Sequence, residues 1–471
     1  MSQRTPGPGL PVLAGTSVDR RLLALPVLAA LVTGLALGAP VPWGLALLVL
    51  AAAVLLGVSV WRRPLLVVAL IPALLPPPEF LKMFAYEVSL GLVAAVVLFA
   101  GVRWRRAWVA KLDPIELAVA AFLAWGMVSL LWSSSTWWWL FAVRKYGIGL
   151  LALWTTWRLA RDLRARDLDL GVTVGALALA LATLVRALQS GLLTAGTGFS
   201  RREGTDLGWG TSNYIAALLV LMLPTALNLA LHSPRRTARV LGWTTLPFAA
   251  LVMAIAASRG GALLMVTVAL LYIFRQRIGR RTMLLGLGLA VALGLLIAGP
   301  GSGLFLSRFT SPRELGSILV RLFLLRAGWR RLVDHFPLGM GMGQGIVEPD
   351  HLGAGGPHNY FVLLGSEVGI PGVILWIVVI VLIWRRGWRY LHDPAKALTA
   401  QALLMTLAIG VANSMFEGTF EGLQYQFLFF WIVGAYLGAL ERPDAVSLPA
   451  PPAHASGPGD GRVAEAVTPA G

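Results

Sequence analysis

A histidine and an asparagine follow a glycine-proline turn at the point where a long apolar run begins. Gly355-Gly356-Pro357 precede His358 and Asn359. If the run is a helix, the positive end of its dipole disfavours imidazolium, so the His358 ring stays neutral and can accept a proton near neutral pH. Free backbone amides at the same helix end attract phosphate oxygens. The position predicts a base beside an anion site, and a histidine that only caps or packs the helix is the alternative.

Arg259 is the only charged residue in an apolar run from position 240 to 274. A straight helix of that length would extend roughly 52 Å, well beyond the membrane. The run is therefore predicted to be a helical hairpin that turns at Ser258-Arg259-Gly260-Gly261. A guanidinium at membrane depth is costly without an anionic partner and marks a functional site by default. Arg259 is predicted to bind a ligand anion, and a structural pair with Glu367 or Glu417 is the alternative.

Two further arginines are candidates for the same anion. Arg321 is flanked by apolar residues within a predicted amphipathic helix from 315 to 336, which follows a capping-box sequence at Ser311-Pro312-Arg313-Glu314. Its guanidinium needs an anionic partner in such surroundings. Arg202 precedes a later apolar run, and a solvated pair with a neighbouring acid is its alternative. Arginine suits diphosphate because its planar fork bonds two oxygens at once and stays charged when desolvated.

Other chemistries find little support in the residues. The absence of cysteine excludes a disulfide framework, a thiol nucleophile and a thiolate metal site. No group of His, Asp and Glu has metal-ligand spacing, so no metal site is predicted. The glycine-rich segment 339–345 lacks the preceding strand of a dinucleotide motif and is predicted to be a tight, adaptable loop. His335 and His351 are predicted to be surface residues, and a two-carboxylate glycosidase site stays open without an identifiable pair.

The composition shows what must position these residues. The chain has 471 residues, of which 57% are hydrophobic and 13% are charged, about half the usual charged share. This excludes a water-soluble fold and predicts an all-α polytopic membrane protein, because backbone groups in lipid must be bonded internally. The net charge of +17 could suggest nucleic acid. The bases fall in short groups between apolar runs, however, so no nucleic-acid partner is predicted.

The apolar runs predict twelve to fourteen membrane-spanning helices, since about 20 apolar residues or fewer are enough for a helix to cross the hydrocarbon. The candidate segments are 22–39, 43–60, 64–77, 88–102, 114–132, 139–157, 170–188, 211–231, 240–257, 260–274, 283–299, 358–384, 398–414 and 423–440. Basic groups between them place the N-terminus in the cytoplasm under the positive-inside rule. Residues 20–442 then form the transmembrane domain, and 300–357 form a partly helical periplasmic loop. Residues 1–19 and 443–471 are predicted to be disordered cytoplasmic tails.

Three motifs surround the candidate base: Pro337-Leu338-Gly339-Met340-Gly341, Pro357-His358-Asn359-Tyr360 and Glu367-Val368-Gly369-Ile370-Pro371-Gly372. They closely resemble the signature of the O-antigen ligase and polymerase superfamily of bacterial membrane proteins. The superfamily's Ser-Arg-Gly turn is similar to Ser258-Arg259-Gly260, and its loop arginine is similar to Arg321. Its arginine before a Gly and Asn motif is similar to Arg202, Gly204 and Asn213. The resemblance covers about 195–385.

This resemblance implies transfer of a glycan from undecaprenyl diphosphate to an acceptor hydroxyl. The reaction would take place at the periplasmic face of the bacterial inner membrane, without a metal or a cofactor, among membrane lipids. Arg202, Arg259 and Arg321 are expected to bind the diphosphate and stabilise the leaving group, while His358 takes the acceptor proton and the attack inverts the anomeric carbon. Asn213, Asn359 and Glu367 are expected to lie in the substrate site, where Glu367 orients a neighbouring group.

The acceptor separates two versions of this function. In a ligase the acceptor is lipid A-core, and in a polymerase it is a second carrier-linked chain. The single well-formed loop after the Arg259 hairpin favours the ligase. A carrier-lipid flippase or transporter is the alternative from another class. It would need ionisable residues along a path through the spans, where only Arg144, Lys145 and Arg186 accompany Arg259.

Overall fold

The computed structural model describes residues 112–161, 165–189, 212–256, 258–276, 312–345, 356–416, 420 and 422–442. All regular secondary structure in these ranges is helical, which confirms the all-α fold class. The predicted spans before residue 112, the predicted span at 283–299 and both predicted tails lie outside the described residues. Arg202, His351 and Glu417 also lie outside them.

Ten α-helices make up the described part of the chain, and a 3-10 turn at Ser129–Trp132 follows the first. They are α1 (Pro114–Val128), α2 (Thr136–Ala160), α3 (Ala165–Gln189), α4 (Ser212–His232), α5 (Arg236–Ala256), α6 (Arg259–Gln276), α7 (Pro312–Asp334), α8 (Tyr360–Arg389), α9 (Ala397–Phe416) and α10 (Leu423–Leu440).

Six stretches are long and apolar enough to cross a membrane, and they fall in α1 with its 3-10 turn, α3, α4, α8, α9 and α10. A shorter apolar stretch spans Gly260–Leu270 in α6. Helices α2 and α5 also occupy positions of predicted spans. The chain is therefore a polytopic membrane protein, as predicted.

Helices α4 and α10 form the interior of the bundle. In each, 94% of the apolar window is buried inside the protein, compared with 33% for α1. Close approach of α10 to α2 depends on glycine, since a Cβ at Gly434 would overlap Thr156 and the carbonyl of Leu153. Such contacts between small residues are typical of helix packing in membranes. The more exposed α1 and α8 lie at the outside of the bundle.

The chain reverses at Ser258, which confirms the predicted hairpin. Helix α5 follows α4 after a short turn and packs along it. After Ser258, α6 runs beside α4 in the same direction, because a Cβ at Gly261 would lie 2.9 Å from Ala216 at the start of α4. Near its end, α6 places the Tyr272 hydroxyl 2.8 Å from Asn228 Oδ1. Helices α5 and α6 are therefore antiparallel.

Ion pairs join the ends of four helices at one side of the bundle, which we call the Arg386 end. Arg386 of α8 binds Asp113, the N-cap of α1, at 2.5 Å and also pairs with Glu441 after α10. Arg161 after α2 donates to Glu441 at 2.6 Å. Helix α1 begins at this end, whereas α2, α8 and α10 end there, so the other ends of all four helices lie at the opposite side. We call that side the His358 end.

Candidate active site at the His358 end

His358 lies just before the first turn of α8. The helix begins at Tyr360 and continues to Arg389, so the long helix predicted after His358 is confirmed. His358 is half-buried and does not itself belong to the helix. The residue therefore directly precedes a helix N-terminus, the end at which a helix dipole favours a neutral imidazole.

Asn359 is the N-cap of α8. Its backbone is extended, and its side-chain oxygen accepts hydrogen bonds from the amides of Phe361 and Val362, each at 3.1 Å. Its Nδ2 donates to the carbonyl of Met415 near the end of α9 at 3.3 Å. The amide group fixes the first turn of α8 and connects it to α9. These contacts give Asn359 a structural role in addition to its predicted place in the substrate site.

Helix α7 packs against the segment that carries His358. A Cβ at Gly328 would stand 2.9 Å from Cγ of Pro357 and 3.0 Å from Val362. Leu324 and Leu332, one turn to either side, are buried on the same face of α7. The absence of a side chain at Gly328 lets α7 lie directly on the residue before His358.

Arg321 belongs to this inward face of α7. It precedes Gly328 by seven residues, about two helical turns, so both lie on the same side of the helix. Arg321 is half-buried, whereas Arg326 and Arg330 are exposed. Apolar residues are also exposed on the outer face, among them Phe323 (60%) and Trp329 (57%). The predicted amphipathic helix is thus confirmed, and its outer face suits the headgroup layer of a membrane.

Residues 337–345 follow α7 and form a glycine loop that packs against the middle of α8. Gly339, Gly341 and Gly343 have positive φ angles of 73°, 104° and 84°, a backbone region that favours glycine. The loop amides of Met340 and Gly341 donate at 2.8 Å to carbonyls of α8, those of Ser366 and Glu367. These carbonyls are accessible because α8 breaks at Gly369, whose φ is 66°.

The other side of the loop is fixed to the turn between α1 and α2. Gln344 donates through Nε2 to Ser133 Oγ and to the carbonyl of Ser135, both at 2.9 Å, and accepts from Ser134. The amide of Met342 donates to Ser129 Oγ at 3.0 Å. The segment is tight, as predicted, but these contacts hold it in one place instead of leaving it adaptable.

Glu367 lies under the glycine loop and is buried, with 2% of its surface exposed. The backbone of Gly343 and Gly345 hydrogen-bonds its carboxyl group, and the positive charge of Lys145 acts on it. Lys145, on α2, is also buried, with 3% exposed. Glu367 therefore supports the loop and interacts with Lys145 among the described residues, a relationship that no pattern in the sequence indicates.

The starts of α4 and α6 lie at the same end of the bundle. The Ser258 hydroxyl accepts from the amide of Gly261 at 3.2 Å, which stabilises the first turn of α6 at Arg259. Gly261, in the first turn of α6, packs against Ala216, which follows Asn213 by about one turn of α4. Asn213 is half-buried. The structure thus brings the Ser258–Arg259 turn close to Asn213.

Aromatic side chains connect these helix starts to α8. The Tyr214 hydroxyl accepts from the amide of Tyr425 at 2.9 Å. The ring of Phe420 lies 5.3 Å from that of Tyr425 and 5.0 Å from that of Tyr360. These four residues are buried and form a continuous layer from α4 to α8. This layer borders Asn213, the Ser258–Arg259 turn and His358, which all lie at the His358 end of the bundle.

A comparison with known protein families matches one segment of the chain. Residues 243–377 match the family described as O-antigen ligase. This segment of the chain is similar to the O-antigen ligase family. The comparison with curated proteins gives no match. The O-antigen ligase match covers the helical hairpin, α7, the glycine loop and the first part of α8, and thereby includes Arg259, Arg321 and His358.

The O-antigen ligase family implies glycosyl transfer as the general activity. The matched segment is narrower than the resemblance at 195–385. Arg202 and Asn213 precede it, so their assignment depends on the motif resemblance alone. Lys145 also precedes it, and its position inside a predicted span is the sequence signal that draws attention to it.

Proposed function

We propose that this O-antigen ligase-like protein transfers a glycan from undecaprenyl diphosphate to an acceptor hydroxyl, with lipid A-core as the acceptor. The contact between α7 and the segment before His358 carries the proposal. It places the face of α7 that bears Arg321 against the helix start that holds the candidate base, within the segment that matches the family. A base and an anion-binding group on adjacent elements are what this transfer requires.

In the proposed reaction, His358 accepts the proton of the acceptor hydroxyl. The hydroxyl oxygen then forms a bond to the anomeric carbon, on the face opposite the carrier. The bond between that carbon and the diphosphate oxygen breaks, and its electron pair stays with the diphosphate. Arg202, Arg259 and Arg321 stabilise the negative charge of this leaving group. The configuration at the anomeric carbon is inverted, and the imidazolium afterwards loses its proton to water.

Arginine can neutralise a diphosphate leaving group without a metal ion, because guanidinium stays charged and binds two oxygens. We therefore propose metal-independent transfer. Undiminished transfer in the presence of excess EDTA would support this part of the mechanism. Loss of transfer in EDTA that magnesium restores would contradict it.

The proposed location is the periplasmic face of the inner membrane. Basic residues gather at the Arg386 end, where Arg158, Arg161 and Arg386 take part in ion pairs. The positive-inside rule puts such an end in the cytoplasm. The His358 end then faces the periplasm, where lipid-linked glycans and lipid A-core are available to an enzyme of this family.

A polymerase would use a second carrier-linked chain as the acceptor, and the same base and arginines would serve it. The transporter alternative is disfavoured by the surroundings of the charged residues in the spans. Lys145 acts on Glu367, and the Arg144 guanidinium lies 5.9 Å from the centre of the Phe141 ring. Both basic residues thus interact with neighbouring side chains. A transport path would instead need ionisable residues that line a route through the membrane.

The test uses the purified full-length protein with undecaprenyl-diphosphate glycan, with and without lipid A-core, and reads product size on a gel. A single shifted product that requires lipid A-core supports the ligase. A ladder of longer glycans formed without lipid A-core supports the polymerase. Absence of any new glycosidic bond under both conditions, with folded protein, would contradict glycosyl transfer.

A further inference from the structure

Lys145 is a buried basic residue that the proposed reaction does not use. It lies on α2 with 3% of its surface exposed, and its ammonium is 5.1 Å from the centre of the Tyr146 ring. The adjacent Tyr146 ring lies 6.4 Å from that of Tyr360, the first residue of α8. Lys145 thus belongs to the part of α2 that packs near the start of α8.

The face of α2 that carries Lys145 also supports the glycine loop. A Cβ at Gly343 would overlap the carbonyl of Trp138 and would lie 2.9 Å from Ala142. Trp138, Ala142 and Lys145 follow one another at spacings of four and three residues, so they share one face of α2. Lys145 therefore lies one turn beyond the point where the loop packs on α2.

Glu367 is the acidic group at this contact. A Cβ at Gly345 would lie 2.8 Å from Glu367 Cγ, so the loop rests on this side chain. The backbone of Gly343 and Gly345 hydrogen-bonds the carboxyl group. Its Oε2 atom is buried without a hydrogen-bond partner in the described part of the chain. The positive charge of Lys145 acts on this buried carboxyl group.

Two buried opposite charges carry a large desolvation cost, and an apolar pair would avoid it. Removal of one charge alone leaves the other uncompensated. The glycine loop, which Glu367 supports, follows α7 and packs at the break in α8. The position of the loop therefore sets how α7 lies against the start of α8. Arg321 and His358 are carried by these two elements.

We propose that Lys145 is a positioning residue for glycan transfer, which acts through Glu367 and the glycine loop to hold α7 and α8 in register. The proposal rests on the proposed function. It assigns Lys145 no contact with the donor or the acceptor. Its charge fixes the loop, and the loop fixes the distance between the arginine of α7 and the histidine before α8.

The test compares Lys145→Met, Lys145→Arg, Glu367→Gln and the double variant Lys145→Met/Glu367→Gln in the full-length protein. Lys145→Met is expected to lower kcat roughly 100-fold, the effect of a misplacement of about 1 Å, with little change in donor KM. Lys145→Arg keeps the charge and is expected to retain most of kcat. In the Glu367→Gln background, the further loss caused by Lys145→Met is expected to be several-fold smaller, because the two residues act as a unit.

Arg158 provides a matched control on the same helix. It is a partly buried base at the Arg386 end that donates to Glu116, and their side chains are 9% and 5% exposed. Arg158→Met is expected to lower thermal stability while kcat per folded molecule is unchanged. Equal losses of kcat in Lys145→Met and Arg158→Met would overturn the proposal, as would additive effects of the Lys145 and Glu367 changes. If Lys145→Met does not fold, recovery of folding in the double variant supports the proposal and failure to recover overturns it.

A second readout separates this inference from the proposed reaction. The chain has no cysteine, so the changes Ser133→Cys and Gln344→Cys introduce the only two thiols, at positions whose side chains are in contact. A short thiol crosslinker is expected to join them, and Lys145→Met is expected to lower the yield several-fold. Unchanged crosslinking would contradict the positioning role even if the protein transfers no glycan. Absence of transfer with lowered crosslinking would instead reject only the proposed function.

Discussion

Gly328 of α7 and Pro357, the residue before His358, are in direct contact. A Cβ on the glycine would stand 2.9 Å from Cγ of the proline, closer than side chains normally approach. Helix α7 therefore has no room for a larger residue here. This contact relates α7, the helix that bears Arg321, to the proposed base.

The first prediction concerns this contact. Gly328→Ala is expected to lower transfer about tenfold or more, because α7 must move away from Pro357 and misplacement on the scale of 1 Å costs up to about 100-fold. The variant is measured by transfer rate and thermal unfolding. Gly147→Ala is the control, since among the described residues no atom outside its own stretch of α2 lies within 4 Å of an added Cβ and the helix gains about 1 kcal/mol. Equal transfer by both variants would show that the close approach of α7 has no role in the reaction.

Two arginines on opposite faces of α7 give the second prediction. Arg321→Ala is expected to weaken binding of undecaprenyl diphosphate about tenfold or more, because charge-assisted hydrogen bonds contribute roughly 1.5–3 kcal/mol each. Arg326 is exposed on the outer face, and Arg326→Ala is expected to bind the carrier normally. Carrier binding is measured with the purified variants. If Arg326→Ala loses as much affinity as Arg321→Ala, a general attraction to positive charge explains the binding better than a site.

The third prediction separates two roles of Asn359. Asn359→Ala removes the side-chain oxygen that accepts from Phe361 and Val362 and is expected to destabilise the protein by about 1 kcal/mol. Asn359→Asp keeps a capping oxygen and is expected to retain both stability and transfer. Thermal unfolding and transfer rate are measured for both variants. A stable but inactive Asn359→Asp variant would favour direct contact between Asn359 and the substrate.

The fourth prediction concerns the Arg386 end. Arg386→Met leaves Asp113 and Glu441 without this partner and is expected to destabilise the protein by about 3 kcal/mol. Transfer per folded molecule is expected to stay unchanged, because these ion pairs lie at the opposite end from His358. The adjacent Arg385 is exposed, so Arg385→Met is expected to have neither effect. Equal stability of the two variants would show that the ion pairs contribute little.

Helix positions could be predicted well from the sequence. The segment at 423–440 coincides with α10, and the predicted break at Ser258 separates α5 from α6. These predictions succeed because hydrophobic length alone determines whether a segment can span a membrane. The cap at Asn359 follows from similar local rules, and the place of this residue in the substrate site stays a prediction.

Contacts between distant parts of the chain could not be predicted in this way. Lys145 and Glu367 are separated by more than 200 residues, and no local pattern connects them. The glycine loop was expected to be adaptable because its composition permits many conformations. Its fixed position depends on Ser129, Ser133 and the break at Gly369, which come from other segments. Such partners become visible only when the helices are packed.

The most direct test of the account measures glycan transfer and carrier-lipid binding by His358→Ala. If His358 is the base, transfer falls by about 100-fold or more, since general base catalysis contributes roughly 10²–10⁴-fold. Binding of undecaprenyl diphosphate and the thermal unfolding temperature stay near those of the unchanged protein. Transfer by His358→Ala at the rate of the unchanged protein would contradict the central claim.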